Sequence, residues 1–456
     1  MSSFMLIWVG QVFSLLGSAM TGFALTIWAW QATGQATALA MVGFFGFVPV
    51  VLLSPMAGAL VDRYNRKKIM MLADFAAGVP TIVNLLLYAS GSLQIWHLFI
   101  TLSVSGAFQA FHFPAYSAAV TMMISKKHYA RASGMLSTAE FASGIFAPIA
   151  AAALLAIIGI AGIMLVDICS FLFAIGLLVF AKIPQPPATD SGLKSRGSIW
   201  KESAYGFRYI YERRGLLGLQ LSFLFFNLFA VISNVLLAPM ILSRTADNYV
   251  ILASVFSAAS VGGVVGSVIM SSWGGPKRKM HSLIFALCSH GAFTSLLGVA
   301  LLSVNYNTVV WMVVSFFPSL VGAFANSSSQ AIWQSKVAPD VQGRVFATRA
   351  LIARLCAPIS MLIAGPLADN IFEPAMMPGG SLAPAFGELT YIGPGAGIAL
   401  IFVITGILCV MIGVFDYVLP AVRNVEVNLP DHDAQAKQSP EVAEASVKTD
   451  ARPVEE

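Results

Sequence analysis

Charge is what this chain has least of. Only 10% of its 456 residues are Asp, Glu, Lys or Arg, while 57% are hydrophobic; an ordinary soluble domain carries about 25% charge. That deficit excludes a freely soluble protein. No G-x-x-x-x-G-K-[ST] loop occurs, so the chain itself is not expected to hydrolyse ATP. The absence of G-x-S-x-G and H-E-x-x-H argues against a membrane-embedded hydrolase or protease. The four cysteines, Cys169, Cys288, Cys356 and Cys409, fall in apolar stretches without metal-ligand spacing and read as packing residues. Short alternating strands are missing too, which excludes a lipid-facing β-barrel. Neither a cofactor, a metal nor an enzymatic activity is expected.

What is present is a series of apolar runs, each of about 20 residues or more, enough to cross a hydrocarbon layer about 30 Å thick. Twelve spans are predicted, near 4–31, 37–60, 68–90, 95–123, 130–157, 160–181, 216–242, 249–272, 279–303, 308–335, 342–368 and 393–419. In lipid every backbone group must be satisfied within its own segment, so these are helices. The first run lacks a basic leader and is too long for a signal peptide.

Basic residues fix the expected orientation. Arg63, Arg66, Lys67 and Lys68 follow the second span, Lys126, Lys127 and Arg131 the fourth, and Lys277, Arg278 and Lys279 the eighth. The stretch after the sixth is basic throughout, and Lys336 and Arg344 follow the tenth. The opposite loops hold only Arg244, with acids Asp247, Asp369, Glu373 and Glu388. A multi-pass cell-membrane protein with both termini cytoplasmic is expected. Base of this kind signals topology and gives no reason to invoke nucleic acid.

Four regions are predicted: a six-helix bundle over 1–182, a connector over 183–215, a second six-helix bundle over 216–419 and a disordered cytoplasmic tail over 420–456. The connector's Trp200, Tyr205, Phe207, Tyr209 and Tyr211, mixed with bases, suit a helix at the membrane surface or a solvated linker helix. The tail has few aromatic residues and an excess of acid. The halves echo each other: Gly106-Ala-Phe108 matches Gly322-Ala-Phe324, and Lys127-His-Tyr-Ala-Arg131 aligns in position with Asp340-Val-Gln-Gly-Arg344, each leading into the next span. Such repeats build transporters that bind near the midplane.

The run Gly58-Ala-Leu-Val-Asp-Arg-Tyr-Asn-Arg-Lys-Lys68 closely resembles the G-x-L-x-D-R-x-x-R-[KR] signature of the major facilitator superfamily. Trp8-Val-Gly-Gln-Val-Phe-Ser14, Trp273-Gly-Gly-Pro-Lys-Arg-Lys279, Gly343-Arg-Val-Phe-Ala347 and the stretch Ala364 to Pro374 resemble its macrolide-efflux and siderophore-export branch. The resemblance implies an all-α polytopic membrane protein with twelve transmembrane helices in two pseudo-symmetric six-helix bundles. It also implies a conformational latch, in which Gly58 and Asp62, with Arg63, Arg66, Arg131 and Arg344, meet the cytoplasmic start of the eleventh helix. There the free N–H groups and positive dipole end can receive a carboxylate.

Intramembrane acids are candidates for energy coupling. Glu140, about nine residues into the fifth span, either exchanges a proton during the cycle or forms a permanent bridge, with Arg354 as a possible partner. Asp167 is either a second coupling acid or a structural hydrogen-bond acceptor, and Asp74 and Asp416 read as interfacial anchors. Ser105, Gln109, His112 and Tyr116 share one helical face. With Gln11, Asn227, Asn234, Asn326 and Trp333 on the repeat-related spans, they are the expected lining of a substrate cavity, helix packing being the alternative. The expected function is proton-coupled export of a bulky amphipathic compound by a monomeric secondary transporter. Export of a siderophore or metabolite, import of a small solute, and a non-transporting receptor are the alternatives.

Overall fold

The structure, a computed structural model, describes residues 2–63, 65–124, 129–181, 199–273, 275, 276, 278–299, 307–337, 339–429 and 431. All regular structure among them is helical. In chain order the main helices are α1 (Ser2–Thr33), α2 (Ala36–Arg63), α3 (Arg66–Ala89), α4 (Ile95–Met123), α5 (Tyr129–Phe180) and α6 (Ile199–Glu212). They continue with α7 (Arg214–Arg244), α8 (Tyr249–Trp273), α9 (Lys279–Gly298), α10 (Asn307–Lys336), α11 (Pro339–Leu367) and α12 (Ala396–Val418). All but α6 are long and apolar enough to cross a membrane, eleven helices among the described residues.

The difference from the expected twelve lies in α5. Its apolar part, Thr138–Phe180, is 43 residues, or about 65 Å at 1.5 Å per residue, twice the hydrocarbon thickness. At Gly159 the backbone leaves the helical region, with φ 66° and ψ −174°, a conformation that glycine adopts without a Cβ clash. The two arms then run antiparallel along α1. Near one end of α1, Trp8 Nε1 donates to Met135 O at 3.0 Å, and a Cβ on Gly10 would lie 3.1 Å from Ala174 Cα. Further along, Ser143 Oγ donates to Leu15 O at 3.3 Å and Ser18 Oγ to Asp167 Oδ1 at 3.0 Å.

Helices α1–α5 pack together, as do α7–α12, and the two groups touch chiefly through α2 on α11 and α5 on α8. The apolar cores show how the halves are joined. One buried cluster takes residues from both bundles, among them Ile27, Ala36 and Ala151 with Leu236, Trp311, Ala364 and Phe402. At the opposite end each bundle keeps its own core, one around Phe4, Met70 and Val120, the other around Leu219, Trp333 and Val345.

Two parts depart from the regions expected. Helix α6 lies against α11, with Tyr209 and Ile210 buried and Tyr211 exposed. The C-terminal extension does not begin at 420, because Pro420–Arg423 and Val425–Asn428 form short helices that bury Val422 and Val425. Glu426 accepts from the first N–H groups of α9, Lys279 at 3.0 Å and Met280 at 2.9 Å. The Lys336 ammonium donates to Glu426 O, Leu429 O and Asp431 Oδ1 at 2.6, 2.5 and 2.8 Å.

Small residues let the helices approach closely, as expected where lipid removes the hydrophobic drive for association. On α8, a Cβ at Gly262 or Gly266 would lie 2.2 and 2.3 Å from the carbonyl oxygens of Phe316 and Leu320 on α10. The sequence echo is not an echo of packing. Gly106 abuts Gly46 O of α2, whereas Gly322 faces open space. Replacing Gly266 by Val should therefore cost roughly 1–3 kcal/mol through overpacking and lower the melting temperature in detergent, while Gly322→Ala leaves it unchanged. Equal melting temperatures for the two variants would contradict this packing.

Candidate transport site

Two cavities matter, and they lie on opposite sides of α1. The larger, about 600 Å³, sits between the bundles, bounded by α1, α5, α7, α8 and α10. Its walls are apolar or weakly polar: Phe23, Phe141, Leu237 and Phe256 with Ser260, Ser319 and Asn234. Among the described residues, Glu140 is the only ionisable one lining it. The Glu140 side chain is exposed and makes no ion pair or hydrogen bond among the described residues.

The Glu140–Arg354 bridge considered from the sequence does not form. Arg354 points from α11 to α2, where its guanidinium lies 3.3 Å from Ser54 Oγ. The reason is topological, since α5 faces α8 whereas α11 faces α2.

The second cavity, about 220 Å³, lies within the N-terminal bundle and is partly open, Ser18 and Gln109 on its lining being exposed. Gln11, Gln109 and His112 converge here as their helical spacing implies, but they line this space and not the chamber between the bundles. Asp74 joins them from α3: its Oδ2 accepts from Gln11 Nε2 at 3.1 Å. Its Oδ1 lies 3.0 Å from His112 Nε2, within ion-pair reach but off the line of a hydrogen bond. The imidazole stacks on Tyr116, whose hydroxyl is buried without a partner. Asp167 occupies the same cavity, accepting from Ser18 Oγ and from Thr81 Oγ1 at 3.1 Å. Asp74 is thus part of a polar cluster and no mere anchor. The sequence reading gave Asp74 only as an interfacial anchor, because its neighbours Gln11 and His112 come from two other helices.

The remaining candidates disperse. Asn234 lines the inter-bundle chamber. Asn227 donates to Phe223 O at 2.8 Å and Asn326 to Gly322 O at 3.1 Å, each one turn back on its own helix. Trp333 is 0% exposed in the C-terminal core, with the Arg349 guanidinium 5.2 Å from its ring. It belongs to packing, because its face of α10 meets neighbouring helices. Arg349, which the sequence did not single out, is held by Gln330 and Ser329 at 2.7 Å each. The side chains of Gly58, Asp62, Arg63, Arg66, Arg131 and Arg344 lie outside the described residues.

One end of the chamber is fastened by polar contacts between the bundles. After α11 the chain widens into a π turn, Ala368–Phe372, and Asp369 within it caps α2. Its carboxylate accepts from Ala36 N at 3.0 Å and Thr37 N at 2.6 Å. Nearby, Trp30 Nε1 donates to Asp247 Oδ1 at 2.8 Å. Within the C-terminal bundle, Glu373 caps α12 through Gly395 N and Ile398 N at 3.0 and 2.8 Å.

Two helical bundles joined at one end around a central chamber define a membrane transporter. The Major Facilitator Superfamily family model matches residues 7–361, and the chain belongs to that family. Macrolide efflux protein A of Streptococcus pyogenes is 25% identical over 373 residues, 81% of this chain and 90% of that protein. Macrolide efflux protein A of Enterococcus faecalis is 24% identical over 333 residues, covering 72% and 100%. Among solved structures, a bacterial homolog of the human lysosomal transporter Spinster, inward-facing and unoccupied, superposes with a TM-score of 0.68 at 14% identity. That match covers 93% of this chain and 98% of the other.

Replacing a capping Asp by Ala costs about 1 kcal/mol, roughly a fivefold change in a two-state equilibrium. Asp369→Ala should raise the population with this end separated by that factor, read by spin-label distances between α2 and α11. An unchanged distance distribution would assign the closure to the shared apolar core alone.

Proposed function

We propose that the chain is a proton-coupled exporter of a bulky, largely apolar compound, working by alternating access. The inter-bundle chamber carries this reading: it is large, mainly apolar and, among the described residues, bears one titratable side chain, Glu140, as suits an amphipathic solute bound by shape and a few polar groups. The relatives named macrolide efflux protein A favour export and a substrate of that kind. Counting the two arms of α5 separately gives twelve crossings. With the basic loops in the cytoplasm, both termini are cytoplasmic and the fastened end faces outward, which makes this an inward-facing state of a monomeric transporter in the cell membrane.

Alternation then has a reciprocal form. In the inward-facing state Asp369, just beyond α11, caps the start of α2. In the outward-facing state Asp62, in the last turn of α2, caps the start of α11 beside Arg131 and Arg344. Glu140 takes a proton as substrate leaves the chamber and gives it up before the next substrate binds.

The test is uptake of macrolides, drug-like cations and siderophores into inverted vesicles, with and without an imposed pH gradient. For wild type, accumulation should collapse when the gradient is removed. Glu140→Gln should abolish gradient-driven accumulation while retaining exchange. Uphill accumulation by that variant would place coupling elsewhere.

A further inference from the structure

Transport engages the inward faces of the N-terminal bundle, but its outer side carries a further cavity. Helices α2 and α3 both pack on α4 and scarcely touch each other. On α4, Gly106 abuts Gly46 O of α2, while Gln109 and His112 line the bundle interior. Phe108 and Phe111 fall on neither face, since successive residues of a helix are turned by about 100°. With Lys68, Ile69 and Leu72 of α3 they wall an open crevice of about 510 Å³. Leu72 is 58% exposed and Phe75, close by on α3, 54%. Both lie within a span that begins at Lys67, so this side of α3 faces lipid.

The crevice is apolar except at its rim. Among the described residues Lys68 is the only charged one lining it. Its neighbour Lys67 is turned away, the ammonium donating to Val179 O and Ala181 O at 2.7 and 2.8 Å at the end of α5. The Lys68 side chain is exposed and has no carboxylate or carbonyl partner among the described residues. Asn65 caps α3, its Oδ1 accepting from Lys68 N at 3.2 Å, so this free cation stands at the positive end of the helix dipole.

A free ammonium at headgroup level, above an apolar slot open to the membrane, is complementary to a lipid phosphate and the chain below it. We propose that the crevice holds one anionic phospholipid, its phosphate on Lys68 and the first turn of α3 and one acyl chain between Leu72 and Phe111. Below the rim the slot offers no charge to a polar solute, which favours a chain as its occupant. The bound chain braces α3 against α4 on the side where α2 gives no support. Ala73 borders both this crevice and the cavity behind it, where Asp74 and His112 meet, so the lipid also backs that polar cluster. With the basic loops cytoplasmic, the lipid comes from the cytoplasmic leaflet. Binding itself depends neither on that orientation nor on export.

The experiment is native mass spectrometry of the purified, delipidated full chain, titrated with phosphatidylglycerol or phosphatidylcholine of matched chains. A melting temperature is recorded for every variant. One phosphatidylglycerol should bind first and in preference to phosphatidylcholine. Lys68→Gln should weaken that first step about fivefold, as loss of one basic side chain at a membrane surface does. Leu72→Trp, which fills the slot, should weaken the first step for both lipids. Arg208→Gln removes an exposed base outside the crevice and should change nothing. Lys68, Leu72 and Arg208 are all exposed, so the three variants keep the fold. Equal affinity for the two lipids, or the same loss in Lys68→Gln and Arg208→Gln, would overturn the assignment and leave only ordinary boundary lipid.

Discussion

A carboxylate resting on the free N–H groups of a helix is the contact that gives this molecule a closed end. Asp369 reaches from the turn after α11 to the first amides of α2 and ties together halves that at the other end keep separate cores. The chemistry of the tie suits its task. A buried ion pair is costly to break, because each charge is stranded when its partner leaves. A carboxylate on backbone donors near a membrane surface forfeits only a cap, and both groups can turn to water. The tie is therefore one that can open without stranding a buried charge.

The two cavities share one helix, and its polar residues are sorted by face. Along α1, Gln11, Ser14, Ser18 and Thr21 look into the N-terminal bundle, while Ala19, Phe23 and Thr26 look toward the other half. One helix thus forms a wall of both cavities. It is closely packed: Gly10 and Gly17 leave no room between α1 and the second arm of α5, so displacement of one passes to the other.

The spans were legible in the sequence because length and apolarity decide them, and even the break inside α5 falls where the reading put it, at Gly159. Which residues share a face was legible too, and Gln109 and His112 do point the same way. Periodicity does not say what that face meets, however, and this one meets the interior of its own bundle. Trp333 shows the same limit, its helical spacing being compatible with either a cavity or a core. Glu140 could be placed by depth but not by neighbour, because partners across the interface follow from which helices are opposed. Asp369 was seen only as a loop acid, since its partners are backbone amides more than 300 positions away, and a backbone N–H has no signature in a sequence.

The anchoring of Lys336 has a practical side. The last helix ends at Val418, but the folded unit runs on to Asp431, because Glu426 finishes α9 and three acceptors from the following strand of chain neutralise an otherwise buried ammonium. A fusion partner or affinity tag spliced directly after the final span would strip α9 of its cap and strand the Lys336 charge just before α11 begins. The natural junction for any such graft lies beyond 431.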